Sequence, residues 1–184
     1  MKICTVPHEP WMVKGFPVLK PLQPVANEMF QKWVRVGVLE DCNRPYWNFF
    51  FLVAKENRKY QLINAAVFLN KVSIKDANLP LSANEFLEDF SGMAIASVVD
   101  LFSGYDQVLL DPVSRDLMAF QTQIRLFQMM TLPQGWTNSV LEFVWIVKKI
   151  LAEEILNDCD VYVNNVPVKG PRMKYNNQEV LPGI

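Results

Sequence analysis

Apolar positions change period several times along this chain. From Val25 to Val36 they recur at Met29, Phe30, Trp33 and Val34, near the helical repeat, and Gly37 suits the C-terminal cap. Phe49 to Ala54 is a continuous apolar and aromatic run fit for a buried strand. A polar turn at Glu56-Asn57-Arg58-Lys59 then leads into a returning strand at Tyr60 to Ile63, which together predict a hairpin. Lys71 to Leu81 reads as a loop. Ser82 can cap a short helix through Phe90, with Glu85 completing a capping box. Ile95 to Asp100 has the β-branched and small residues of a strand, broken by Gly104, with extended structure resuming at Gln107 to Leu110. Ser114 to Leu117 suits one helical turn, and Met118 to Thr122 with Arg125 to Met130 suits a strand pair. A rigid loop follows at Leu132 to Trp136. The strongest helical pattern comes next, capped by Thr137 or Asn138 and running to about Leu156. Its apolar face is Val140, Phe143, Val144, Val147, Ile150 and Leu151. Val161 to Val163 and Val166 to Val168 flank Asn164-Asn165, a pattern for a tight hairpin, since Asn tolerates positive φ better than most residues.

The ends differ from this body. Five prolines between Pro7 and Pro24 oppose helix and predict an extended, wrapping segment over 1–24. From Lys169 to Ile184 the polar, Gly- and Pro-containing tail should be loose. The whole reads as α+β.

Composition narrows the function classes. With 184 residues and 51% hydrophobic content, the chain can bury one sizeable core and does not read as disordered. A net charge of −1 argues against a strongly basic, autonomous nucleic-acid binder, whose affinity would come largely from phosphate contacts. Cys4, Cys42 and Cys159 are scattered without zinc spacing and His8 is the only histidine, so a metal finger is disfavoured and a reducing, intracellular setting is expected. No apolar stretch approaches the ~20 residues that span a bilayer, and the first residues show no secretory pattern.

The motifs, in order, are more specific than the periods. Leu52-Val53-Ala54-Lys55 precedes Tyr60-Gln61-Leu62-Ile63-Asn64 and Leu69-Asn70. Then come Asp100-Leu101-Phe102-Ser103-Gly104-Tyr105, Ser114-Arg115-Asp116-Leu117, Ala119-Phe120-Gln121-Thr122, Leu132-Pro133-Gln134-Gly135-Trp136 and Tyr162-Val163-Asn164-Asn165. This series resembles the reverse transcriptases of gypsy-type LTR retrotransposons, particularly fungal ones, over roughly residues 28 to 184. The resemblance implies the fingers and palm of a right-hand polymerase, truncated before the thumb and with no ribonuclease H region. It makes 25–90 fingers-like and 91–168 palm with inserted fingers elements. It also implies RNA-directed DNA polymerase activity, with Mg2+ as cofactor and with primer-template nucleic acid and a nucleotide triphosphate as partners. Lys55, Gln61, Tyr105 and Gln134 fall at nucleotide-binding positions, and Asp100 at the first catalytic, metal-holding carboxylate.

At the remaining catalytic positions the family pattern fails. The family has a Tyr- or Phe-x-Asp-Asp hairpin where this chain has Asn164 and Asn165. Two-metal nucleotidyl transfer needs anionic oxygen ligands for a pair of hard cations. An amide offers one neutral acceptor oxygen where a carboxylate offers two charged ones. Loss of one electrostatic catalytic group costs on the order of 100- to 1,000-fold in rate, so loss of both predicts an inactive enzyme. Asp160 is no substitute, lying ~13 Å along a strand from Asn164 at ~3.3 Å per residue. Gln61 replaces an Arg that in the family contacts the triphosphate, and Gln cannot present a charged fork. The two Asp-to-Asn changes, Arg-to-Gln at Gln61 and Gly-to-Arg at Arg58 are each one G-to-A step, which fits decay of a silenced repeat.

Plainer readings stand beside these. Asp100 also suits a strand-end residue, Tyr105 and Trp136 suit packing, and Lys55, Arg58 and Lys59 suit a solvated hairpin tip. The rival functions are a weakly active enzyme, a non-catalytic nucleic-acid or protein binding module, and a decayed remnant without function.

Overall fold

The computed structural model describes residues 1–15, 17–54, 60–77, 82–155 and 157–173, and divides into two compact units. The first comprises Met1–Lys75 and Tyr105–Ser139, the second Asp76–Gly104 and Val140–Ile184.

The first unit is built on α1 (Gln23–Arg35), a three-stranded antiparallel sheet and a two-stranded one. The three-stranded sheet has the order β1 (Leu39–Asp41), β6 (Leu126–Met129), β5 (Phe120–Gln121). The two-stranded sheet pairs β2 (Phe50–Ala54) with β3 (Tyr60–Asn64) from Phe50↔Asn64 to Ala54↔Tyr60. Both strands of the predicted hairpin are therefore present, and its predicted turn, Glu56 to Lys59, lies outside the described residues. The core is aromatic. Phe30 of α1 meets Phe50 at 5.4 Å, Phe127 at 5.7 Å and Phe120 at 6.0 Å between ring centroids. All four rings are buried, and burial of each contributes about 1.5–3 kcal/mol. The helical stripe is what delivers Phe30 inward, and Gly37 at φ +77° ends the helix as predicted.

Polar side chains tie the irregular segments to this core. Asn48, 1% exposed, donates Nδ2–H to the carbonyls of Leu117 and Ala119 and accepts Trp11 Nε1–H at 2.9 Å. That bond, with the backbone pairing of Met12 and Trp47, ties the start of the chain to the unit, but the expected extended segment does not reach residue 24: a 3-10 turn occupies Lys20–Leu22, and α1, with Pro24 in its first turn, begins at Gln23. The helical turn predicted at Ser114 is α4 (Pro112–Arg115), followed by a 3-10 turn at Asp116–Met118.

The second unit holds α3 (Ala83–Asp89), the antiparallel pair β4 (Ala96–Asp100) and β7 (Asn165–Lys169), and the body of α5 (Ser139–Ile150). The Ser82 capping box forms as expected, with both reciprocal bonds to Glu85 present.

Several expectations are corrected. Lys71 to Leu81 is not all loop, because α2 (Val67–Val72) runs into it and its following carbonyl bonds are closed by Ser73. Gln107 to Leu110 is not a strand: a 3-10 turn occupies Gly104–Gln107, and only Leu109 makes a single bridge, to Thr131. β1 was not foreseen, since three residues owe their extension to pairing with β6. Helix α5 ends at Ile150 rather than near Leu156, and Ile150, assigned to the buried face, is 75% exposed. The tail from Lys169 starts as the last residue of β7, and 174–184 lie outside the described residues.

Candidate functional site

Of the residues singled out by the sequence, Asp100, Asn164 and Asn165 meet in the second unit, and Gln61 and Gln134 meet in the first.

In the second unit, strand register brings together the three positions that the resemblance marks as catalytic. Asp100 closes β4 and pairs directly with Asn165, the first residue of β7. Leu101 N–H bonds the Asn164 carbonyl at 3.2 Å, extending the contact past the strand end. Tyr162 and Asn165 exchange backbone bonds of 2.9 and 3.0 Å, so the hairpin turns on just two residues, Val163 and Asn164. The expectation that the Asn pair supplies the left-handed residue is wrong. Val163 has φ +58°, whereas neither Asn164 nor Asn165 is at positive φ. The register of the hairpin places Val163 first in the turn, the position that a type II′ turn puts at positive φ and that favours Gly. A β-branched side chain there is strained, at a cost of about 1–3 kcal/mol. Phe86 of α3 packs its ring 5.0 Å from Tyr162 and holds the near side of the turn.

The side chains then show what amides do in this setting. Asn164 Nδ2–H donates to Asp100 Oδ1 at 3.3 Å. The Asp100 carboxylate is thus met by a hydrogen-bond donor, where the pattern of the resembling family would place an acid. Asp160 is 4% exposed and committed elsewhere: its Oδ1 lies 3.0 Å from Lys148 Nζ and accepts Val161 N–H at 2.7 Å. Among the described residues, no group of three His, Cys, Asp or Glu could hold a metal ion. The donor set does not fit a two-magnesium centre, because one carboxylate would face two divalent cations with neutral amides beside it.

In the first unit, two of the positions that the resemblance marks as nucleotide-binding meet. Gln61 of β3 donates Nε2–H to Gln134 Oε1 at 3.1 Å. Two neutral amides therefore satisfy each other where the resemblance implied a charged contact. Tyr105 is half-buried, and burial raises its hydroxyl pKa above the ordinary value. Lys55 lies outside the described residues. Trp136 is 3% exposed and donates Nε1–H to Ser73 Oγ, so it serves packing, the plainer of its two readings.

Sequence reasoning missed two residues. Lys148, whose partner is distant in the chain, had no signal beyond a charge on a helix. Asn70 appeared only as part of a motif, yet it makes two bonds to the loop that carries Gln134. Among the described residues no helix is long and apolar enough to cross a membrane.

This interleaving of helices with small antiparallel sheets is a reverse-transcriptase-like fold. The chain superposes on the prototype foamy virus protease–reverse transcriptase (CSH mutant) with a TM-score of 0.84 over 92% of its length and 23% of that chain, at 22% identity. It also matches a foamy viral protease–reverse transcriptase in complex with dsDNA, with a TM-score of 0.79, 96% and 36% coverage, and 19% identity.

In sequence, the chain is similar to retrovirus-related Pol polyproteins of Drosophila melanogaster transposons. It is 25% identical to that of gypsy over 170 residues, 89% of this chain and 16% of the relative, and 23% identical to that of opus over 172 residues, 91% and 17%. The enzymatic polyprotein of Cauliflower mosaic virus (strain D/H) is 32% identical over 128 residues, 64% of this chain and 17% of the relative. The chain thus spans about a sixth of the length of the curated relatives it matches. No family model matches it. These likenesses bear out the reverse-transcriptase and retrotransposon reading at the level of fold and relatives. The relatives named come from an insect and a plant virus rather than a fungus.

Proposed function

We propose that the chain is the fingers and palm portion of a gypsy-type retrotransposon reverse transcriptase whose two-metal nucleotidyl transfer has been lost. On this reading 25–90 are fingers-like and 91–168 palm with inserted fingers elements, with primer-template nucleic acid and nucleotide triphosphate as ancestral partners and Mg2+ as ancestral cofactor. The observation that carries the proposal is the Asn164 amide donating to the Asp100 carboxylate. An intact hairpin would present acids there, and magnesium would screen their mutual repulsion while binding them. In this chain a neutral amide removes both the repulsion and the ligand. Asp100 is left as a strand-end group that orients the hairpin through Asn164 and the Leu101 backbone.

Primer extension on an RNA or DNA template, with magnesium or manganese, tests this directly. The expected result is no incorporation above background, and clear extension would refute the proposal.

A second reading is a binding module without chemistry. It is favoured by relatives in fold that hold an RNA/DNA hybrid or double-stranded DNA. A titration of duplex against salt separates the two, because phosphate-driven affinity falls steeply as salt rises.

A further inference from the structure

The β4–β7 ladder of the second unit has one covered edge and one open edge. Leu101 N–H bonds the Asn164 carbonyl, so 101 with 164 is a hydrogen-bonded pair. Bonded and non-bonded pairs alternate along an antiparallel ladder. Ser97 and Val99 therefore bond Val168 and Val166, and the N–H and C=O of Ala96, Val98 and Asp100 point away from β7. Pro167, opposite Val98, agrees with this, since it has no N–H to give. On the far side of β7 the edge is closed by the segment 158–160: Lys169 N–H bonds the Asp158 carbonyl at 2.7 Å, and Asp160 N–H bonds the Pro167 carbonyl at 3.2 Å. Among the described residues nothing covers the outer edge of β4 in this way. Ile95 to Asp100 are all exposed, and from Ile95 to Val99 there is no charge or proline of the kind that guards an open edge.

We propose that this edge is an interaction surface for β4 of a second copy of the chain, added antiparallel, so that two two-stranded ladders become one four-stranded sheet. Orientation and register follow from the backbone and from Asp100. Outward-facing residues must meet outward-facing residues, so Ala96, Val98 and Asp100 pair among themselves. Centring the contact on Val98 sets Val98 against Val98 of the second copy and Ala96 against Asp100 in both directions. Each such pair exchanges two N–H···O bonds. No other antiparallel register bonds all three outward residues. A register that set Asp100 against Asp100, or a parallel in-register pairing, would oppose two carboxylates, which destabilises a ladder. In the register centred on Val98 each Asp100 faces an alanine, and the two valines meet on the two-fold axis. The assembly is also self-limiting. Its outer edges are the two β7 strands, already closed by 158–160, so addition stops at two copies instead of running on into a fibre.

Sedimentation equilibrium of the full chain over a concentration series tests the pairing. Wild type is expected to pass from monomer to dimer and no further. Val98→Lys and Val98→Glu each set like charges face to face across the axis, and each is expected to weaken the dimer at least about tenfold. Mixing the two variants sets Lys against Glu and is expected to restore a dimer, which only a 98-to-98 contact would do. Val98 is 66% exposed and its backbone does not bond β7, so both variants should unfold thermally like wild-type monomer. Should either fail to fold, Val98→Cys reads the same contact. Bonded antiparallel pairs hold their Cα atoms about 5.5 Å apart, within disulfide reach. Mild oxidation is then expected to link two copies through residue 98, identified by peptide mass. The proposal is overturned if wild type stays monomeric throughout, if the charged variants dimerise as tightly as wild type, if the folded variants fail to restore a dimer on mixing, or if the Val98→Cys chains form no 98-to-98 link.

Discussion

The two units stabilise their functional positions by different means. In the first, β6 is buried at three of its four positions, and its Phe127 ring packs 5.7 Å from Phe30 and 6.3 Å from Phe120. In the second, β4 is exposed at all five positions, with Val98 at 66% and Val99 at 50%. The hairpin of Tyr162 to Asn165 is instead held by particular polar and ring contacts: Lys148 on Asp160, Asn164 on Asp100, and Phe86 on Tyr162. Burial is diffuse and tolerates surface change. A hairpin held by a few specific contacts is sensitive to each, so altering one residue there can exchange a metal-binding role for a structural one while the strand pairing persists.

The largest effect that would test this contrast is in the aromatic core. Phe120→Ala should destabilise the chain by about 3–5 kcal/mol, whereas Val99→Ala on the exposed strand should cost less than about 1 kcal/mol. Urea unfolding reads both, and equal losses would break the comparison.

Next is the ion pair. Lys148→Ala leaves the buried Asp160 carboxylate without its cation and should cost about 3 kcal/mol, the low end for a broken buried pair because Lys148 is itself partly exposed. Lys148→Met with Asp160→Leu should recover most of that. A double variant as unstable as the single one would show that the pair does not act as a unit.

A smaller effect, of opposite sign, is expected at the turn. Val163→Gly relieves the positive φ and should stabilise by about 1 kcal/mol in thermal unfolding, net of the entropy Gly gains in the unfolded chain. A loss of stability would mean that the Val163 side chain contributes packing that outweighs its strain.

The smallest lies in the first unit. Burial pushes the Glu40 carboxyl upward, but hydrogen bonds from Gln128 and Arg115 and the charges of Arg115 and Arg44 outweigh it, holding the carboxyl below its ordinary pKa. A depressed folded value gives stability that is present above the unfolded pKa and lost as pH falls through the folded one. Glu40→Gln should therefore flatten the acid limb of the stability curve below about pH 4.5, by no more than about 1 kcal/mol for a partly exposed pair. An unchanged acid limb would remove Glu40 from the account.

Much of this was legible in the sequence, for identifiable reasons. α1, the β2–β3 pair, the β5–β6 pair and the Ser82 cap declare themselves through local period and local hydrogen bonding. The candidate residues were legible through ordered motifs, and Asp100, Asn164 and Asn165 do meet, as do Gln61 and Gln134. What stayed hidden depends on tertiary context. Val67–Val72 has no capping side chain to announce a helix. Leu39–Asp41 is extended only because β6 lies beside it. Val163 takes the left-handed place because backbone pairing of Tyr162 with Asn165 sets the turn, overriding the preference of the Asn residues. The partners of Asp160 and of the Gln134 loop, Lys148 and Asn70, are remote in sequence and leave no periodic trace.

The central claim is that the amide pair has replaced the metal site. Magnesium titration by calorimetry, comparing wild type with Asn164→Asp/Asn165→Asp, tests it most directly. The account predicts no specific uptake by wild type and binding at least about tenfold tighter in the double variant, a difference of about 1.4 kcal/mol or more. Wild type taking up two magnesium ions as tightly as the double variant would contradict it.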